Sequence, residues 1–303
     1  MRRFSDARHR LVEAGLRPAV GSQMTAKNES VRHASDSFCR DHLRTSGAKR
    51  PQPTDGFVSF VRFVVAFCIF VTACRSSPVA PTPSAASGPI IRVLTLTATA
   101  GFRHDSIPAA REALTSLGPA NGFTVTATED VSAFTTSNLS NYDLVMFANT
   151  SGELPLSGDQ QNALVAFVNG GKGFVGTHSA TDTLYGWPEY GRLVGAYFND
   201  HPWTEQGRVI VEDASHPAAG VRDPFTLEEE FYTFRENPRN RVQVLMRLDA
   251  ASVGATGDYP LAWTQSFGSG RSYYNALGHF PATWRDARFQ AQIVAAIKWT
   301  GGR

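Results

Sequence analysis

Lys172-Gly173-Phe174-Val175-Gly176-Thr177-His178-Ser179-Ala180 is a glycine-punctuated apolar run that stops at a histidine. Lys172–Gly176 reads as a short strand buried on both faces. The glycines mark a tight strand-to-helix turn, and such a turn holds one side chain above the end of a sheet. Here that side chain is His178. Outward from this turn, strand-like and helix-like segments alternate. Ile90–Thr97, Phe123–Thr128 and Asp143–Ala148 read as strands. Pro108–Leu117 reads as a helix with Pro108 near its first turn, and Gly158–Val168 as a helix closed by Gly170-Gly171. The alternation predicts an α/β fold with a doubly wound, mostly parallel sheet. Beyond residue 205 the pattern changes. Gly207–Glu212, Val242–Leu248, Leu261–Gln265 and Arg271–Ala276 read as extra strands, and Phe289–Trp299 closes the chain as an amphipathic helix.

This body, residues 90–303, is preceded by a chain of different character. Residues 1–75 hold 13 Lys+Arg against 6 Asp+Glu, and residues 76–303 hold 16 against 21. The net charge of +2 therefore belongs to the leader, and the body offers no basic surface for nucleic acid. Residues 57–74, FVSFVRFVVAFCIFVTAC, combine Arg62, a short apolar core and small residues before Cys74. That is the form of a secretory signal peptide, and its core is too short for a comfortable membrane span. Val71-Thr72-Ala73-Cys74 resembles the lipobox of bacterial lipoproteins. Lipidation of Cys74 would anchor an exported, periplasmic-side protein to the membrane. Residues 1–56 read as an unfolded extension left by an over-extended gene start, and the Pro/Ser-rich residues 75–89 as a tether. All three cysteines, Cys39, Cys68 and Cys74, lie in the leader. The body is thereby excluded from disulfide, thiolate and cysteine–zinc chemistry.

Ligands bind at the carboxyl ends of strands in open α/β sheets, and the body's histidines gather there. His104 follows the first strand, His178 the fourth and His279 the last; His201 lies in Asn199-Asp200-His201-Pro202. An imidazole in such a place can move protons near neutral pH or bind a metal. Asp105 and Asp182 are placed in sequence to orient His104 and His178. Glu228-Glu229-Glu230-Phe231-Tyr232 sets carboxylates beside aromatics, and in an extended segment Glu229 faces away from Glu228 and Glu230. Trp187, Tyr190, Trp203, Tyr232, Trp263 and Trp284 are flat faces for a sugar ring or, more commonly, core. The histidine spacings match no standard zinc signature. His104, His178, His201 and His279 are nonetheless the metal candidates.

Four stretches together resemble the ThuA-like family, named for trehalose utilisation. They are Gly101–Ile107 (GFRHDSI), Gly173–Thr183 (GFVGTHSATDT), Val194–Pro202 (VGAYFNDHP) and Gly270–His279 (GRSYYNALGH). The resemblance runs from about Arg92 to Gly302. It departs at Glu229-Glu230-Phe231-Tyr232, where the family usually has Asp-Glu-Trp-Tyr. The resemblance implies a flavodoxin-like fold similar to the class I glutamine amidotransferases. Those enzymes place a cysteine at the turn and pair it with a late histidine. This chain has His178 at the turn and His279 at the late position, so glutamine hydrolysis through a thiolate is ruled out.

The resemblance also implies carbohydrate metabolism, with a glycoside or 3-keto sugar as ligand. A 3-keto group acidifies the C2 proton, which suits a histidine base in a keto-glycoside hydrolase, lyase or isomerase. On that reading His178 and His279 are catalytic. His104, Asp105, Asp182, His201, Glu229, Glu230 and Tyr232 bind substrate, and a divalent metal is the candidate cofactor. The alternatives are a non-catalytic sugar-binding lipoprotein and a partner domain for a periplasmic sugar oxidoreductase.

Overall fold

The computed structural model describes residues 88–302. The extension, the signal-like segment with Cys74 and nearly all of the tether lie outside these residues. Among the described residues no helix is long and apolar enough to cross a membrane.

The β-branched run after residue 90 forms β1 (Ile91–Leu96), buried along almost its whole length. The predicted first helix is α1 (Ile107–Asn121), which continues past Leu117 until Gly122 closes it at φ 77°. Then come β2 (Phe123–Thr128), a single helical turn α2 (Thr136–Leu139) and the fully buried β3 (Leu144–Ala148). α3 (Gly158–Asn169) begins at a capping box. Ser157 Oγ accepts from the Gln160 amide, and Gln160 returns a side-chain oxygen to the Ser157 amide. β4 (Gly173–Thr177) is buried at every position, as a two-faced strand must be.

The sheet has nine strands in the order β2-β1-β3-β4-β9-β8-β7-β5-β6. Its remaining strands are β5 (Phe198–Val211), β6 (Phe225–Phe234), β7 (Gln243–Leu248), β8 (Tyr259–Phe267) and β9 (Gly270–Asn275). The pairings from β2 through β9 are parallel, and those from β9 to β6 are antiparallel. The expectation of a mostly parallel sheet thus holds for one half only. The physical reason lies in the connections: the chain after β5 has no crossover helices, and short links between neighbouring strands give antiparallel pairs. Helices cover both faces of β4. A side chain at Gly173 would collide with Thr300 of α6 (Ala287–Thr300), and one at Gly176 would press on Val194 of α4 (Pro188–Val194). These two positions point to opposite faces.

Two further corrections concern the second half. The strand expected at Gly207–Glu212 begins at Phe198, so His201 lies within β5 rather than in a loop. Pro202 follows it, and the β5–β6 register slips between Asp200 and Trp203. A bulge with a proline is how a strand bends, and it hides the strand's period from the sequence. The carboxylate-rich stretch is itself a strand, β6. Although β6 ends the strand order, it touches β8, two strands beyond its neighbour β5. The antiparallel half therefore curls back over the sheet. Trp263, Trp284 and Tyr190 are fully buried core. Of the six aromatics considered as sugar platforms, only Tyr232 lines the cavity described next.

Candidate functional site

His178 follows β4 with φ 47°, a left-handed conformation that costs a residue with a side chain free energy. The expected sharp turn is present, and a short 3₁₀ turn, His178–Thr181, follows it. Register carries its neighbours to the same level. Thr177 pairs with Ala148 of β3 and with Asn275 of β9, so the loops after three strands emerge side by side.

His178 is fully buried. Its Nδ1 lies 2.9 Å from the Ala276 carbonyl, and since a carbonyl only accepts, Nδ1 carries the proton. The lone pair of Nε2 is thereby aimed into a cluster. Around Nε2 stand His104 Nε2 at 3.0 Å, the Tyr232 hydroxyl at 2.9 Å, His279 Nδ1 at 3.2 Å and Glu230 Oε2 at 3.5 Å. Glu230 Oε2 also lies 3.1 Å from His279 Nδ1, while Oε1 lies 3.3 Å from His201 Nδ1. One nitrogen from each of His104, His178 and His279 and one oxygen of Glu230 fall within 4.8 Å of one another. The curl of the antiparallel half brings Glu230 and Tyr232 onto the loops of the parallel half.

The electrostatics follow from crowding. Burial, aided by the crowding of His178 and His279, lowers the pKa of His104 to about 3, so it stays neutral. Burial opposes the Glu230 carboxylate, but the imidazoles of His178 and His279 beside it outweigh that and hold the group well below the usual carboxylate range. Burial likewise pulls His279 down, and Glu230 overcomes it to raise His279 above an ordinary imidazole. Burial raises Asp182 despite the hydrogen bond it accepts from Tyr185.

A cavity of about 230 Å³ opens over the cluster, lined by Phe102, His104, Asp182, Phe198, His201, Glu230, Tyr232 and His279. His178 forms part of the cluster beneath it and is not in the lining. The predicted orienting carboxylates behave differently. Asp182 lies on the cavity wall, bonded to Tyr185 rather than to an imidazole. Asp105 is exposed, and Ser179 Oγ, at 3.3 Å, is what faces His104 Nδ1. Adjacent residues on a turning chain point apart, which separates Asp105 from the ring of His104. Glu229 is fully buried behind the cluster. It accepts from the amides of Gly278 and His279 and from the Thr283 hydroxyl, at 2.7–3.0 Å. It thus holds the turn that carries His279.

Phe102, Phe198, Ser179 and Asn149 were missed in the sequence. They are neither titratable groups nor tryptophan or tyrosine faces, so residue type alone carries no sign of a site. Position relative to strand ends was the available signal for Asn149, which directly follows β3.

Three imidazoles and a carboxylate form the donor set of a divalent transition-metal site. Ligand nitrogens around a tetrahedral zinc ion lie about 3.3 Å apart, close to the 3.0 and 3.2 Å separations found here. The carbonyl behind His178 is the outer-shell partner such a ligand requires. The residues fit a metal.

Comparison with known proteins agrees with this architecture. Two ThuA-like proteins of known structure share the fold. That from Bacteroides uniformis ATCC 8492 has a TM-score of 0.62 at 23% identity, over 74% of this chain and 95% of that one. That from Parabacteroides merdae ATCC 43184 has a TM-score of 0.59 at 19% identity, over 71% and 91%. No functionally curated protein matches the sequence. The family model described as trehalose utilisation, ThuA, matches residues 92–300. With well over half of its length matched, the chain belongs to the ThuA family.

Proposed function

We propose that this protein is an exported carbohydrate-acting enzyme whose cluster of His104, His178, His279 and Glu230 holds a divalent cation beside a sugar-sized cavity. The convergence of those four donors within 4.8 Å is the observation that carries the reading. Family membership supports a carbohydrate ligand. The cavity, lined by polar groups and by the rings of Phe102 and Phe198, suits a sugar's mixed surface. Its volume is that of about eight liquid water molecules, room for roughly one ring.

A bound divalent cation would supply Lewis-acid polarisation of a sugar carbonyl or hydroxyl. The chain's own groups do the remaining work. Neutral His104 and the oriented His178 keep lone pairs on the cluster. Glu230 stays ionised and bridges to His201. His201, half exposed on the cavity wall, is left to move protons, with Asp182 as a second acceptor. For a 3-keto glycoside, His201 takes the acidified C2 proton, the C1–O bond breaks as the C1–C2 double bond forms, and the departing aglycone oxygen takes that proton back from His201. This assigns His178 to holding the cation and proton transfer to His201. Export includes acylation at Cys74, which palmitate labelling of cells expressing the full chain, compared with Cys74→Ala, would reveal.

The test combines elemental analysis with turnover of methyl and aryl 3-keto-glucosides. Wild type is expected to carry about one divalent ion per chain. His178→Ala should lose both metal and turnover. His201→Ala should keep the metal and lose turnover by about 10²–10⁴-fold, the usual worth of a positioned acid or base. Metal-free protein with full activity would overturn the cation, and full activity in His201→Ala would overturn the proton assignment. Binding without product would instead favour a sugar-binding lipoprotein.

A further inference from the structure

Asn149 belongs neither to the four-donor cluster nor to the cavity lining, yet it is fully buried and held at φ 53°. Its Nδ2 donates to Ser106 Oγ at 2.9 Å and to the Gly278 carbonyl at 2.8 Å. Its Oδ1 accepts from Thr177 Oγ1 at 3.2 Å. Ser106 Oγ in turn donates to the Gly278 carbonyl at 2.9 Å, and Trp284 Nε1 reaches the same oxygen at 3.0 Å. These partners sit beside the cluster in sequence. Ser106 is two residues from His104, Thr177 is one from His178, and Gly278 is one from His279. A single amide thus ties together the three loops that carry the three imidazoles.

We infer that Asn149 is a positioning residue that holds His104, His178 and His279 in one arrangement by bonding Ser106, Thr177 and Gly278. Two features make asparagine the residue for this place. Both a donor and an acceptor are needed on one short side chain, because Gly278 turns its carbonyl to Asn149 while its amide serves Glu229, and Oδ1 takes the Thr177 hydroxyl. Asparagine also enters the left-handed region more readily than most residues with a side chain. Gly278, at φ 127°, completes the requirement on the opposing loop. An aspartate would fit the space and the backbone. It would still accept from Thr177, but it would lose the donor that serves Ser106 Oγ and would turn an oxygen on the Gly278 carbonyl. The expected consequence is a displaced His279 in an otherwise folded protein.

The inference rests on the metal reading only for its first test, which measures cobalt(II) affinity by chelator competition together with the visible absorption of the bound ion. Outer-shell partners of metal ligands are commonly worth 10–100-fold in affinity. Asn149→Asp and Asn149→Gly should each weaken cobalt by at least about tenfold and alter its spectrum. Ile293→Val, a core change away from the cluster, should lower the melting temperature without moving either. The second test needs no metal: ring ¹⁵N resonances of His104, His178 and His279 in the metal-free protein should shift in both Asn149 variants and stay in place in Ile293→Val. Wild type that takes no cobalt, with the ring resonances shifting in the variants, would sink the cation reading and leave the positioning role standing. Wild-type-like ring resonances in folded Asn149→Asp would overturn the inference, whatever cobalt does.

Discussion

His104 shows how burial turns an ordinary side chain into a specialised one. Its folded pKa is about 3, against an ordinary value of 6.5. Between those values the unfolded chain binds a proton that the folded chain refuses, so stability falls as pH drops through that window. Glu230 acts in the same sense lower down. Its contribution is present above the usual carboxylate value and is lost as pH falls through its depressed one. His279 acts oppositely, since its raised value gives stability that is full below the ordinary imidazole pKa and lost as pH rises through the folded one. Between pH 7 and 4 the large shift is that of His104, so the metal-free protein should be acid-labile there, with a slope approaching about 1.4 kcal/mol per pH unit. Urea midpoints between pH 7 and 4 would show it. His104→Gln should flatten the profile, and an equally steep profile in that variant would refute the assignment. The histidine itself was legible in the sequence because it follows a strand. Its neutrality was not, since that depends on Phe102, His178 and His279 packing around it.

At the scale of elements, the parallel half was readable because its signals are local. Continuous β-branched runs, a proline at a helix start and a glycine at a helix end each act within a few residues. The capping box of α3 is of this kind. Ser157→Ala should destabilise the domain by about 1 kcal/mol, seen as a lower urea midpoint with an unchanged slope; no change would mean water replaces the cap. At the first residue of β9 the constraint comes from distant chain instead. A side chain at Gly270 would run into the carbonyl oxygens of Val168 and Lys172. β5 and β6 were harder to read for a reason equally physical. The bulge around His201 breaks the two-residue period. β6 carries buried carboxylates, which look like a solvated run when their partners are unknown.

Taken whole, the molecule assembles its cluster from loops after β1, β4 and β9 and from β6, drawing on both halves of the sheet. A ligand there should brace the entire domain. With free metal at about a hundred times its dissociation constant, stabilisation is about 2.7 kcal/mol, which for a domain of this size is a rise in melting temperature of about 5–10 °C. Calorimetry with and without zinc or cobalt would measure it. The rise should vanish in His178→Ala, and an equal rise in that variant would place the metal elsewhere.

Read alone, the amino-acid sequence sufficed for the α/β class, for the cysteine-free body, and for histidines at the strand ends with His178 on a sharp turn. All of these depend on neighbours a few residues away. It could not show that Glu230 and Tyr232 reach His178, that Asp105 turns outward, or that His178 lies beneath the cavity rather than in its wall. Those facts depend on a long strand bending at its bulge and folding the far edge of the sheet back over the near one. The strand-end turn at His178 could be read locally; the company it keeps is set by residues up to 101 positions away.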